Sequence, residues 1–275
     1  MSVPTRTASG GVVSLWRYPV KSMMGEELNA VHVTERGLLG DRAYALVDRS
    51  TAKVASAKNP RKWAGLFDCR ASFIEPPNIG QALPPVRITL PDGSTLTSNE
   101  SDANPALSNL FGRDVTLEKT APASPGLEEY WPDIEGLAHR ETVTDELMPA
   151  GTFFDCAVVH VLTTATIDRL RQLYPEGRFE PRRFRPNTIV ELTAGVRDFA
   201  ENAWVGQTLA IGDSVRLRIT GPCPRCVMTT LAQGDLPKDP GILRTAAQHN
   251  NASVGVYAGV IRGGPVRRGD PVWLE

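Results

Sequence analysis

Residues 86–97 read Val86-Arg-Ile-Thr-Leu-Pro-Asp-Gly-Ser-Thr-Leu-Thr97. Apolar and polar residues alternate on both sides of Asp92-Gly93, and such a dipeptide tolerates the positive φ angles of a tight turn between antiparallel strands. The same signature recurs on either side. Gly11-Val-Val-Ser-Leu-Trp-Arg-Tyr-Pro-Val20 predicts a strand ended by a proline turn, and residues 27–33 alternate. Residues 43–48 and 53–55 predict a hairpin around Arg49-Ser50-Thr51. Residues 102–111 predict a short helix capped by Ser101 or Asp102. Residues 120–150 lack periodicity and are read as an ordered loop or linker. Further strands are expected at 157–162, 188–192, 214–219, 254–260 and 272–274, with one helix over 166–173 that stops at Tyr174-Pro175. Many short strands against one or two helices imply a mostly β chain with minor α, its antiparallel sheets curled into barrels.

The chain has 275 residues, enough for one large domain or two modest ones. Its formal net charge of −1 provides no overall field to hold nucleic acid or an anionic membrane, so an anionic ligand must meet a local basic cluster. The first residues, MSVPTRTASGGVVSLW, carry no apolar core of signal-peptide length, and no run of roughly 18 apolar residues occurs anywhere. A cytoplasmic protein with no membrane or nucleic-acid partner is the expectation. Four cysteines (69, 156, 223 and 226) are too few for a disulfide scaffold at this size, so a cysteine pair is read as a ligand or redox site.

Three stretches could carry chemistry. Lys21 and Ser22 follow a proline-terminated strand and could hold a phosphate with one charge and one hydroxyl; from this segment alone a solvated loop lysine beside a turn serine is the more usual reading. Arg182-Arg183-Phe184-Arg185-Pro186-Asn187 places three guanidiniums in four positions, where they repel one another unless an anion or several carboxylates intervene. Pro186 is expected to hold Arg185 extended, and Asn187 could read a heterocycle edge with donor and acceptor. An exposed basic turn packed on Glu176 and Glu180 is the other reading. Gly221-Pro-Cys-Pro-Arg-Cys-Val-Met-Thr-Thr230 contains a single CxxC. Structural zinc needs four ligands, but the four histidines are scattered; a thioredoxin-like pair needs a βαβ context, but the context here is strand, loop and apolar run. What remains is one activated thiolate beside Arg225, able to bind a soft metal, with the other cysteine packed as a small hydrophobe.

Taken in order along the chain, these stretches resemble the MOSC superfamily. The likeness runs from Leu15-Trp-Arg-Tyr-Pro-Val-Lys-Ser22 through Gly40-Asp-Arg42, Phe154-Asp155, Phe184-Arg-Pro-Asn187 and Trp204-Val-Gly206 to Cys223-Pro-Arg-Cys-Val-Met-Thr-Thr230 and Gly269-Asp-Pro-Val-Trp-Leu274. It is closest in kind to chains with a MOSC N-terminal β-barrel domain, such as the mitochondrial amidoxime-reducing component and the C-terminal domain of molybdenum cofactor sulfurase.

The resemblance implies an N-terminal β-barrel-like domain over about residues 10–110, a connecting segment over 111–144 and a MOSC β-barrel domain over 145–275, with the cofactor between the two domains. It implies a molybdenum–molybdopterin cofactor whose metal is ligated by Cys226, which is also the catalytic residue. Lys21, Ser22, Arg42, Asp155, Arg185 and Asn187 become cofactor-binding residues. Relatives place Thr-Ser after the aspartate, whereas this chain has Cys156-Ala157. The implied activity is reduction of N-hydroxylated or N-oxide compounds, a small-molecule substrate being reduced with electrons from separate proteins of ferredoxin or cytochrome type plus a reductase. No cysteines are left for an iron–sulfur cluster in the same chain. The alternative is a cofactor or sulfur carrier with a persulfide on Cys226. Pyridoxal phosphate binding is a further term attached at the level of the family.

Overall fold

A computed structural model describes residues 9–193 and 195–275. The first eight residues, on which part of the signal-peptide reading falls, lie outside the described residues. The chain is mostly β. Its centre is a closed barrel of seven strands in the order Thr188–Leu192, Val159–Thr163, Ser253–Arg262, Val215–Pro224, Thr208–Ile211, Pro271–Leu274 and Gly10–Arg17. Closure comes from Gly10–Arg17, which pairs antiparallel with Pro271–Leu274 on one side and with Thr188–Leu192 on the other. The strand that opens the expected first domain is thus a stave of the barrel built by the second.

Alternation explains which side chains fill this barrel. In Val215–Pro224 the buried positions are Val215, Leu217, Ile219 and Cys223, two residues apart except at Gly221. The first three meet Val12, Leu15, Val161, Val190 and Val256 in one apolar core. The strand expected to end at Ile219 therefore continues through Cys223, which is carried inside by the same period that buries Val215. Among the described strands one parallel pair joins Val159–Thr163 to Thr188–Leu192, and the helix Thr164–Leu173 makes the crossover between them. Thr163 caps that helix by accepting from Thr166 N at 3.2 Å.

A second core lies in the first half of the chain under sheets of two or three strands. It gathers Val20, Met23, Tyr44, Leu46, Trp63, Leu66, Phe67, Ile88 and Leu107, and the hairpin expected around Asp92-Gly93 forms one of its sheets. Met228 belongs to this core, and Cys226 packs against it. The six residues from Cys223 to Met228 therefore cross from the barrel interior into the other core.

The expected loop over 120–150 is instead an antiparallel ribbon, Gly126–Trp131 paired residue for residue with Thr142–Leu147. Its polar content hid the alternation, because Glu128 and Tyr130 alternate with Leu127, Glu129 and Trp131. The expected connecting segment 111–144 so contains strand Val115–Glu118 and most of the ribbon. The ribbon is tied down at both ends. Leu127 pairs with Met148 and Phe153 in a small core at its base, and Ile134 near its tip packs on Leu243 and Ala247. Those last two belong to helix Gly241–Asn250, which was not foreseen.

Candidate functional site

Lys21, Ser22, Arg42, Asp155, Arg185, Asn187 and Cys226 all line one cavity of about 480 Å³. It lies between the barrel, the first-half core and the ribbon. Residues up to 205 positions apart in sequence, from 21 to 226, meet there because the loop after the first barrel strand and the loop after Val215–Pro224 open on the same side.

The basic side is built around Tyr18. Arg185 holds its guanidinium carbon 4.1 Å from the Tyr18 ring centroid, and Arg42 holds its own at 4.6 Å. Two like charges share one ring, and both face the cavity. Burial and the nearby Arg42 push the Arg185 guanidinium down to about 10. Among the described residues its one hydrogen-bond acceptor is Met23 O at 2.7 Å, which leaves most of its five donors to face the cavity. Arg185 is in the left-handed region, φ 55° and ψ 47°, rather than extended as expected ahead of proline. It ends the single helical turn Pro181–Phe184 by donating its N–H to Pro181 O at 3.2 Å, and tertiary contacts to Tyr18 and Met23 hold it there. The three arginines do not form one cluster. Arg182 pairs with Glu180 and Asp235 at the surface, and buried Arg183 donates to the carbonyls of Arg178, Thr229, Leu231 and Pro237.

Asp41 ties this side together. Its carboxylate accepts from Tyr18 N at 2.7 Å, from Asn187 Nδ2 at 2.8 Å and from Arg42. Asn187 also accepts from His160 N at 3.0 Å through Oδ1. Its amide is thus committed to joining strand Val159–Thr163 to Asp41, and its role is to fix the wall rather than to read a heterocycle freely. Ser22 accepts from Ala57 N at 3.1 Å. Lys21 donates to Phe153 O at 2.8 Å and to Asp155 Oδ1. Burial alone would raise the Asp155 carboxyl, but Lys21 and Lys58 hold it well below the usual range. Lys58, which carries no sequence motif, joins Asp155 at 3.8 Å and Glu129 at 2.9 Å.

The two cysteines of the CxxC divide the expected roles. Arg225 Nη1 donates to Cys223 Sγ at 2.7 Å, and its Nη2 donates to Phe184 O at 2.8 Å. His160, whose Nε2 lies 3.0 Å from Val254 O, and Tyr257 are close enough to act on the Cys223 sulfur. Burial opposes ionisation, yet these groups draw the Cys223 thiol below its ordinary range. Gly255 makes room for this arrangement: a Cβ there would lie 2.3 Å from His160 Nε2, and its φ of 80° suits glycine. Cys226 is the opposite. Burial and then the Glu129 carboxylate push its thiol up to about 11. The Arg225 guanidinium thus serves Cys223, the cysteine that the sequence reading left as a packed hydrophobe. His160 and Tyr257 sit in apolar strands, where a buried ring with a polar tip is the one signal that could have found them.

Among the described residues, no group of three or more His, Cys, Asp or Glu side chains could by itself hold a metal, which leaves no four-ligand zinc set there. No helix among them is long and apolar enough to cross a membrane.

Residues 149–273 match the MOSC domain, and residues 9–64 match the MOSC N-terminal beta barrel domain. Among curated proteins the chain is 23% identical to mitochondrial amidoxime reducing component 2 of Rattus norvegicus, over 96% of this chain and 83% of that protein. It is 24% identical to molybdenum cofactor sulfurase of Homo sapiens, over 90% of this chain and 29% of that protein. Among solved structures, the YUAD protein from Bacillus subtilis aligns over 96% of this chain and 94% of its own with 12% identity and a TM-score of 0.48. With a MOSC N-terminal beta barrel domain ahead of a MOSC domain, the chain belongs to the MOSC superfamily.

Proposed function

We propose that the chain binds a molybdenum–pterin cofactor in this cavity and reduces N-hydroxylated or N-oxide compounds. The observation that carries the reading is convergence: the Cys226 thiol and the cationic side chains of Lys21, Arg42, Lys58 and Arg185 line the same 480 Å³ space. The donor set fits such a group. Arg42, Arg185 and Lys21 suit a phosphate, and buried Arg225 Nε has no hydrogen-bond partner among the described residues. Cys226 supplies one soft protein ligand for a metal already held by other sulfurs. Asp155 stands between Lys21 and Lys58 where an anion would otherwise sit, so it sets how far a phosphate can enter.

When bound, such a group supplies a centre that takes oxygen from nitrogen and cycles through two electrons. The substrate N–O bond breaks: two electrons and two protons convert an N–OH group into N–H and water, or an N-oxide into its amine and water. The chain's own residues hold the phosphate at Arg42, Arg185 and Lys21, present the Cys226 sulfur at the strand end, and place protonated Lys58 beside it. The Asp41–Asn187–His160 ties keep the basic wall in register while ligands pass. Electrons come from separate carrier proteins of ferredoxin or cytochrome type with their reductase.

The test is composition. Protein made in a host that synthesises the cofactor should carry molybdenum near one atom per chain, pterin fluorescence and little zinc. Stoichiometric zinc without pterin would end the proposal. An added sulfur on Cys226 by mass, with no amidoxime turnover under a low-potential donor, would shift the reading to a sulfur carrier.

A further inference from the structure

The cavity has a second side with different chemistry. Its basic side carries Lys21, Lys58, Arg42 and Arg185, whereas the side formed by the ribbon carries Trp131, Leu137 and Leu147. We propose that these three ribbon residues bind the apolar, aromatic body of the substrate and so set substrate preference. The inference rests on the reductase reading for its substrate chemistry, but the ribbon's geometry stands independently of it.

Position comes first. Strand alternation puts Leu127, Glu129 and Trp131 on the cavity side, while Glu128 and Tyr130 turn to Lys53, Lys62 and Arg61. Rigidity comes second. The Trp131 indole N–H donates to Thr144 Oγ1 at 2.8 Å, and the His139 ring meets the indole edge-on at 5.1 Å. With Leu127 and Ile134 anchoring base and tip, the indole is held ready rather than free to collapse inward.

Exposure comes third. Leu147 pairs with Gly126 at the ribbon's end, on the face away from Trp131, yet it borders the cavity and is 85% exposed, the most exposed large apolar side chain among the described residues. An apolar rim that the fold leaves uncovered beside a cavity can be covered by a ligand. Charge narrows the choice. Glu146 lines the same side, accepts from Thr144 Oγ1 at 2.7 Å, and has no cation within ion-pair reach among the described residues. A neutral or cationic body suits this side, and a carboxylate-bearing one does not. The four cations opposite are left for the cofactor's anion.

The experiment uses cofactor-loaded protein with a chemical electron donor and two substrates, benzamidoxime and acetamidoxime. Trp131→Ala should lower the ratio of kcat/KM for the aromatic over the small substrate by about tenfold, through KM, and Leu147→Ser should lower it severalfold. Trp131→Phe should restore most of the ratio, which a general loss of folding would not. A second readout needs no turnover: calorimetry with benzamidine, which carries no N–O bond. Its dissociation constant should rise by about tenfold in Trp131→Ala at unchanged metal content. An unchanged ratio and unchanged benzamidine binding would overturn the inference. If the parent protein reduces neither amidoxime, the reductase reading fails. Benzamidine binding then decides the ribbon alone, since binding weakened by Trp131→Ala keeps it as a ligand wall and binding indifferent to the change removes it.

Discussion

Cys223 holds the last inward position of strand Val215–Pro224, and Cys226 follows only three residues later, at the start of the short turn Val227–Thr230. Both line the cavity. Cys223 is wholly buried with the Arg225 guanidinium on its sulfur, whereas Cys226 faces the Glu129 carboxylate and packs against the first-half core. The difference teaches that charge and ligation need not coincide. The sulfur best set up to ionise is the one that the Arg225 guanidinium holds. The sulfur proposed to ligate a metal is a thiol that must lose its proton on loading, so loading should release that proton and be favoured as pH rises.

The comparison breaks most readily at Cys226. Cys226→Ser should lower amidoxime reduction by on the order of 100-fold or more while leaving the fold intact, because serine stays protonated and is a poor soft ligand. Cys223→Ser should retain turnover within about tenfold, the decline coming from a shifted Arg225. Equal losses, measured with the same chemical donor, would show that both sulfurs serve the metal.

The basic wall is the next place to press. Arg185→Ala and Lys21→Ala each remove a charge-assisted contact of about 1.5–3 kcal/mol, so each should cut cofactor retention by roughly 10- to 100-fold. Metal and pterin content after gel filtration checks this; full retention in both would place the phosphate elsewhere.

Cys223 should count more for stability than for turnover. Cys223→Ala leaves Arg225 without its sulfur acceptor, at a cost of about 1–3 kcal/mol in denaturant unfolding. The cost should depend on pH. A thiol lowered on folding adds stability that is complete above its ordinary value near 9 and is lost as pH falls through about 6. The gap between parent and variant should therefore widen from pH 6 to pH 9, and a gap that is flat or narrows would deny the thiolate.

The smallest effect concerns Glu129. Glu129→Gln removes a negative charge that, after burial, holds the Cys226 thiol high. Alkylation of Cys226 at pH 8 in cofactor-free protein should quicken severalfold. No change would mean that burial alone sets the thiol.

Much of this molecule was legible in its residues. The short alternating runs gave the β architecture, and the Asp92-Gly93 hairpin formed where the turn chemistry placed it. Lys21, Ser22, Arg185 and Cys226 were visible because each combines a reactive or charged group with a turn or proline, and Arg42 and Asp155 because they match a family pattern. The ribbon was not legible. Its strands carry Glu128, Glu129 and Asp145 at paired positions, and their partners Lys53, Lys58 and Lys62 come from a distant segment. The fate of the three arginines was hidden for the same reason, since adjacency in sequence says nothing about which carbonyls or carboxylates the fold brings to each. Arg185 broke a local rule because a tertiary anchor outweighed it.

The closing of the barrel by Gly10–Arg17 has a consequence for how the chain is made. Residues 15–17 of this strand pair locally with Glu26–Leu28, but its two neighbours within the barrel lie far along the sequence, at Thr188–Leu192 and Pro271–Leu274. During synthesis the edge that Thr188–Leu192 will cover, and the first residues that Pro271–Leu274 will cover, wait while most of the polypeptide emerges, exposed as an unpaired edge that other chains could add to. Loop closure over such separations is slow, so the final stave should lock late and release early when the protein is stressed. Hydrogen exchange at Val12 and Ser14 should report that seam, and a ligand clasped between Lys21 on one flank and Cys226 on the other would act as the rivet that keeps it shut.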